Sequence, residues 1–113
     1  MIQVEEFITD EDVSPFRRWF DSIDDQAAAW VTIAIDRLGE GNIASAKALG
    51  EGVSELRINR GPGYRIYFGW DGKLLVILLG GGTKRRQQSD IQTALCHWRS
   101  YKARKAAGRT KRN

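Results

Sequence analysis

A chain of 113 residues with 42% hydrophobic content makes one packed domain, and the lone Cys96 excludes an internal disulfide framework or a multi-cysteine zinc site. No apolar run approaches the roughly 20 residues that cross a bilayer, and Glu5, Glu6, Asp10 and Glu11 stand where a signal peptide needs a basic start, so a reducing, cytoplasmic compartment is expected. The formal charge of +4 conceals a segregation: residues 1–56 carry 4 Lys and Arg against 12 Asp and Glu, a net of −8, whereas residues 57–113 carry 14 against 2, a net of +12.

In chain order, residues 2–7 alternate Ile2 and Val4 against Gln3 and Glu5, which predicts a short strand. Ser14-Pro15 supplies a cap and a proline at the first helical position, and Phe16, Trp19, Phe20 and Ile23 repeat at helical spacing. Asp24 or Asp25 caps a second helix with Ala27, Val31, Ala34, Ile35 and Leu38 on one face, ended by Gly39 and Gly41; the two form a helical hairpin. The pattern weakens over 42–52, where Gly50 and Gly52 mark a loop. The period then changes to two. Residues 53–59 and 64–70 read as half-buried strands, and 74–79 as a strand covered on both faces, with Asp71-Gly72 as a two-residue type I′ turn between the last two.

Gly80-Gly81-Gly82-Thr83-Lys84 lacks the spacing of a phosphate loop and reads as a strand exit; Gly61-Pro62-Gly63 reads as a hairpin turn. Ser89-Asp90-Ile91-Gln92 matches a capping box, opening a helix with Ile91, Leu95, Trp98 and Tyr101 on one side. The expectation is an α+β fold of order β-α-α-β-β-β-α, its helices against one face of a mainly antiparallel sheet. One domain spans 1–106, and a basic, mobile tail occupies 107–113.

Paired residues of a sheet must point to the same face. The Asp71-Gly72 turn pairs Trp70 with Lys73, Phe68 with Leu75, Ile66 with Ile77, Tyr67 with Val76 and Arg65 with Leu78. An odd-length loop in the preceding hairpin pairs Arg57 with Arg65 or Tyr67; either way these three share the face opposite the core. Two neighbouring arginines beside a tyrosine suit a phosphate, the bland alternative being a carboxylate partner such as Glu55, or water. Lys84, Arg85 and Arg86 extend the basic surface, with Arg60, Arg85 and Arg86 as flanking candidate nucleic-acid contacts. Val76 and Leu78, on that same face, need cover from this chain or from a partner. His97, the only histidine, is a possible acid or base, and Cys96 reads as inert packing. With only Asp71 and Asp90 acidic in the basic half, no metal site is expected.

The run Gly52-Val53-Ser54-Glu55-Leu56-Arg57, then Gly61-Pro62-Gly63-Tyr64-Arg65-Ile66-Tyr67-Phe68, then Leu78-Leu79-Gly80-Gly81-Gly82-Thr83-Lys84, with Gln88 and Asp90-Ile91 following, resembles the phage Gp49-like, HigB-type branch of the RelE/ParE toxin superfamily, the addiction-module killer proteins. The resemblance implies a growth-inhibiting toxin of a type II toxin–antitoxin pair that cuts mRNA on the ribosome as an endoribonuclease, without a metal or other cofactor. It implies Arg57, Arg65, Tyr67 and Lys84 as the catalytic set, and a cognate antitoxin, mRNA and the ribosome, but no membrane, as partners. Oligomeric state stays open. A ParE-like inhibitor of DNA gyrase, or a toxin-derived binding module without catalysis, is the alternative.

Overall fold

A computed structural model describes residues 1–111, with side chains to Gly108. Capping chemistry sets the first helices. The Ser14 hydroxyl accepts from the Arg17 N–H at 3.0 Å and Pro15 opens α1 (Pro15–Ser22); Asp24 accepts from the Ala27 N–H at 2.8 Å and opens α2 (Asp25–Gly39). With β1 (Gln3–Glu6), β2 (Ala46–Gly50), β3 (Val53–Ile58), β4 (Tyr64–Asp71) and β5 (Leu75–Thr83), they complete an α+β domain whose last helix, α3 (Gln87–Lys111), follows a 3-10 turn at Lys84–Arg86. The sheet order is β1-β5-β4-β3-β2, with β1 parallel to β5 and every other pair antiparallel.

Strand β2 occupies part of the expected 42–52 loop. Its sequence, Ala46-Lys47-Ala48-Leu49-Gly50, shows no alternation because it is an edge strand with only Ala46 and Leu49 partly buried and a register shift between Ala48 and Gly50. The turn into β3 uses Glu51 and Gly52, both at positive φ (58° and 88°), as a two-residue hairpin requires.

The helices lie on both faces of the sheet, not on one. Beneath α1 and α2, Phe16, Val31 and Leu38 pack with Leu56, Ile66, Phe68, Val76 and Leu78. Beneath α3, Ala94 and Trp98 pack with Phe7, Val53, Tyr67, Ile77 and Leu79. The expected β4–β5 register fails for the same reason: Asp71 pairs with Leu75 across a three-residue loop, so Phe68 faces Leu78, and Val76 and Leu78 join the α1–α2 side. Since both faces of β5 are apolar, hydrophobic pattern could not choose between the two registers. A register shift between Tyr67 and Phe68 follows, and Tyr67 pairs with Gly80, Ile66 with Gly81 and Arg65 with Gly82.

The glycine run thus lies inside β5 rather than after it. Its job is steric. A β-carbon on Gly81 would enter the ring of Trp19, and one on Gly69 the ring of Trp98, on opposite faces. Helix α3 also begins before Ser89, so Ser89 is no cap; its carbonyl accepts from the Thr93 hydroxyl at 3.1 Å. It continues through Lys111, past the expected end at Ala106, and the end of the expected tail, 112–113, lies outside the described residues.

Candidate functional site

The β3–β4 ladder pairs Arg57 with Arg65 and Glu55 with Tyr67, which puts all four on the α3 face. The shared face expected for Arg57, Arg65 and Tyr67 is therefore present, but they form no open phosphate grip. Helix α3 covers it, leaving Arg65 6% and Tyr67 1% exposed, while the Arg57 side chain is 39% exposed. The carboxylate partner is Glu55, fully buried. It accepts from Arg57 Nε at 3.2 Å and from Gln87 Nε2 at 2.9 and 3.1 Å, and its Oε2 lies 3.8 Å from Arg65 Nε. Arg65 Nη1 also donates to the Tyr64 carbonyl at 3.3 Å.

Two facing arginines are tolerable here because one buried carboxylate serves both, and Gln87, from the first turn of α3, holds that carboxylate in place. Sequence reasoning passed over Gln87, since nothing local announces a contact across 32 positions. The Tyr67 hydroxyl, Arg65 Nε and Asp90 Oδ2 are buried without a hydrogen-bond partner among the described residues. Burial, reinforced by the charges of Glu55 and Asp90, pushes the Tyr67 phenol well above its usual range and keeps it a neutral donor. Burial likewise raises the Asp90 carboxyl, against the opposing pull of Arg86. Asp90 keeps this position because residue 82 is glycine: a β-carbon there would occupy the place of its Oδ2 and push the carboxylate aside.

Lys84, Arg85 and Arg86 form the exposed 3-10 turn between β5 and α3. The Lys84 N–H donates to the Gly63 carbonyl at 2.8 Å, and the Gly63 N–H to the Arg60 carbonyl at 2.9 Å, so the basic turn is tied to the β3–β4 hairpin loop. Arg57 and Lys84–Arg86 therefore lie at one end of the sheet. Arg60 lies apart from Glu55, its guanidinium 5.4 Å from the centre of the Trp30 ring on α2. His97 is also elsewhere, 5.1 Å from the ring of Phe7 and lining a cleft with Thr9, Glu11 and Arg18; burial lowers its pKa. Cys96 is exposed, not packed as expected, because it falls on the outer side of α3. Among the described residues, no group of three or more His, Cys, Asp and Glu side chains comes together as a metal-ligand set.

A small mixed sheet sandwiched by a helical hairpin and a C-terminal helix, with a basic rim at one end, is compatible with the RelE-like class of fold. Residues 18–98 match the family described as phage derived protein Gp49-like (DUF891), and the chain belongs to that family of RelE/HigB-type toxins. A protein of Haemophilus influenzae strain Rd, described as uncharacterized, is 40% identical over 80 residues, covering 70% of this chain and 81% of that relative. Family membership assigns a toxin's part in a toxin–antitoxin pair, with an antitoxin as partner. Among the described residues, no helix is long and apolar enough to cross a membrane.

Proposed function

We propose that this toxin is a metal-independent endoribonuclease that cuts mRNA on the ribosome, in the cytoplasm, and so blocks translation. The observation that carries the reading is the half-exposed Arg57, held by the buried Glu55–Gln87 pair beside the exposed cations of Lys84–Arg86. In metal-free cleavage the ribose 2′-hydroxyl gives up its proton as its oxygen attacks the adjacent phosphorus, the bond from phosphorus to the 5′-oxygen breaks, and that oxygen takes up a proton, so that a 2′,3′-cyclic phosphate and a 5′-hydroxyl result. Arg57 and Lys84 neutralise the negative charge that builds on the phosphoryl oxygens. Arg65 and Tyr67 act as positioning residues from beneath, Arg65 by sharing Glu55 and Tyr67 by packing under α3 at the ladder position opposite Glu55. Arg85 and Arg86 hold flanking phosphates.

The test is induced expression followed by primer extension on cellular messages. Wild type yields new 5′ ends; the double variant Arg57→Ala, Lys84→Ala, in which Arg65 and Gln87 still hold the buried Glu55 and whose folding is checked by circular dichroism, loses both cleavage and growth inhibition. Undiminished toxicity of that variant would overturn the assignment. A second reading, a ParE-like inhibitor of DNA gyrase, draws support from the burial of Arg65 and Tyr67, which keeps half of the expected catalytic set away from solvent. Supercoiling assays on the same protein separate the two: gyrase inhibition without message cleavage favours the second.

A further inference from the structure

On the α2 side of the same end of the sheet, a cleft of about 390 Å³ opens between α2, the segment leading into β2 and the end of β3. We infer that this cleft is a subsite for one unpaired nucleotide of the RNA, a step that rests on the nuclease reading above. Trp30, Arg37, Asn42, Ser45, Asn59 and Arg60 are among its lining residues, and no Asp or Glu is. That is notable because α2 and its surroundings belong to the half of the chain with 12 acidic residues.

Three features point to a nucleotide rather than to an acidic peptide. Arg60 lies over the Trp30 indole at 5.4 Å, with the Tyr64 ring 6.2 Å from that indole and tilted by 53° to it, so a guanidinium and an indole lie together as surfaces on which a base stacks. Asn42 and Asn59 bring amides that both donate and accept, matching a base edge; Asn42 already spends its carbonyl on the Ala44 N–H at 3.1 Å, which leaves its NH₂ to give. Neither Arg37 nor Arg60 ion-pairs with a carboxylate among the described residues, so both keep their charge for a phosphate.

Position makes the cleft part of one path. Residues 59–63 of the β3–β4 loop carry Asn59 and Arg60 on the cleft side and receive the Lys84 N–H at Gly63 on the other. A single strand crossing this loop sets a base on Trp30 and Arg60 while its neighbouring phosphate meets Arg57 and Lys84. The subsite fixes which linkage is presented to the cationic rim.

The experiment uses the full chain and a fluorescein-labelled, unpaired hexaribonucleotide, read by anisotropy, with photocrosslinking of the bound probe and antitoxin binding measured in parallel. Trp30→Leu keeps apolar packing and removes most of the stacking surface; Arg37→Gln with Arg60→Gln changes two exposed side chains and leaves the core alone. Each is expected to weaken probe binding by about tenfold, the lower end of what one stacked base or one or two phosphate contacts supply, and the crosslink should map to the peptide containing Trp30. Unchanged probe affinity in the folded arginine double variant overturns the inference. So does a loss of antitoxin affinity with RNA binding intact, which makes the cleft a peptide site. Message cleavage is scored separately: a toxin that cuts no RNA but binds the probe through Trp30 refutes the nuclease reading and keeps the subsite, and a toxin that cuts RNA with the cleft variants binding normally does the reverse.

Discussion

Glu55 is the residue on which the basic site depends. Its carboxylate is fully buried between Arg57 and Arg65, which face each other across β3 and β4. Glu55→Ala leaves the buried Arg65 without a counter-charge and costs about 3 kcal/mol of stability; urea unfolding measures it, and added sulfate should restore part of that stability by entering between the arginines. An unshifted midpoint would mean that Arg65 finds another partner. Asp90 gives a pH signature. Burial raises its folded-state pKa, so its contribution is fully favourable below the unfolded carboxyl value near pH 4 and is lost as pH rises through the higher folded value. Asp90→Asn, which cannot ionise, should gain stability relative to wild type as pH rises above about 4. Parallel urea midpoints for the two proteins across that range would sink this reading of Asp90. The local sequence offered Glu55 as the carboxylate partner of the arginines but not its burial, and there Asp90 looked like part of a capping box.

At the level of elements, glycine decides how closely the helices approach the sheet. Gly69 makes room for Trp98 of α3, Gly81 for Trp19 of α1, and Gly82 for the carboxylate of Asp90. Both tryptophans are anchored: Trp98 is 3% exposed and its Nε1 donates to the Glu51 carbonyl at 2.9 Å, and Trp19 packs between Phe16 and Tyr64. Gly69→Ala and Gly81→Ala should each cost about 1–3 kcal/mol by overpacking, whereas Gly82→Ala should cost less, because a carboxylate at the end of a side chain can swing aside. Thermal or urea unfolding of the three variants checks the order, and a Gly82→Ala variant worse than both others would contradict it. The helices α1 and α2 were legible from caps and apolar spacing, since those interactions are local. Strand β2 was not, because an exposed edge strand of alanines carries no burial pattern. The side of α3 was not either, because β5 is apolar on both faces and its register depends on a bulge that only packing selects.

For the whole molecule, the charge segregation of −8 and +12 becomes a spatial one at the rim formed by Arg57 and the Lys84–Arg86 turn. A toxin that grips RNA through this rim binds it with strong salt dependence. Replacing Lys84 and Arg85 by glutamine should lower the slope of log affinity against log salt by about 1.4, roughly 0.7 for each single-strand phosphate that is no longer neutralised. Titrations at several salt concentrations measure this directly, and an unchanged slope would remove both residues from the interface. At the far end, α3 is tied back to the sheet and to the loop after β1: Tyr101 and Lys105 donate to Asp71, and Arg104 to Asp10 at 2.9 Å. Asp71 therefore serves as an anchor for α3 as well as the end of β4.

By itself the sequence determined the α+β class, the helical hairpin, the meander and the shared face of Arg57, Arg65 and Tyr67, because caps, period-two alternation and strand parity act over a few residues. The motifs from Gly52 to Ile91 also carried the family resemblance. Only the tertiary structure decided that α3 closes over that face, burying Arg65 and Tyr67 with Glu55 and leaving Arg57 half-exposed and the Lys84–Arg86 turn exposed. Those facts depend on contacts across 30 or more positions, Gln87 to Glu55 and Tyr101 to Asp71 among them. Such contacts form when two apolar faces compete for one sheet, and no local pattern encodes which helix wins each side.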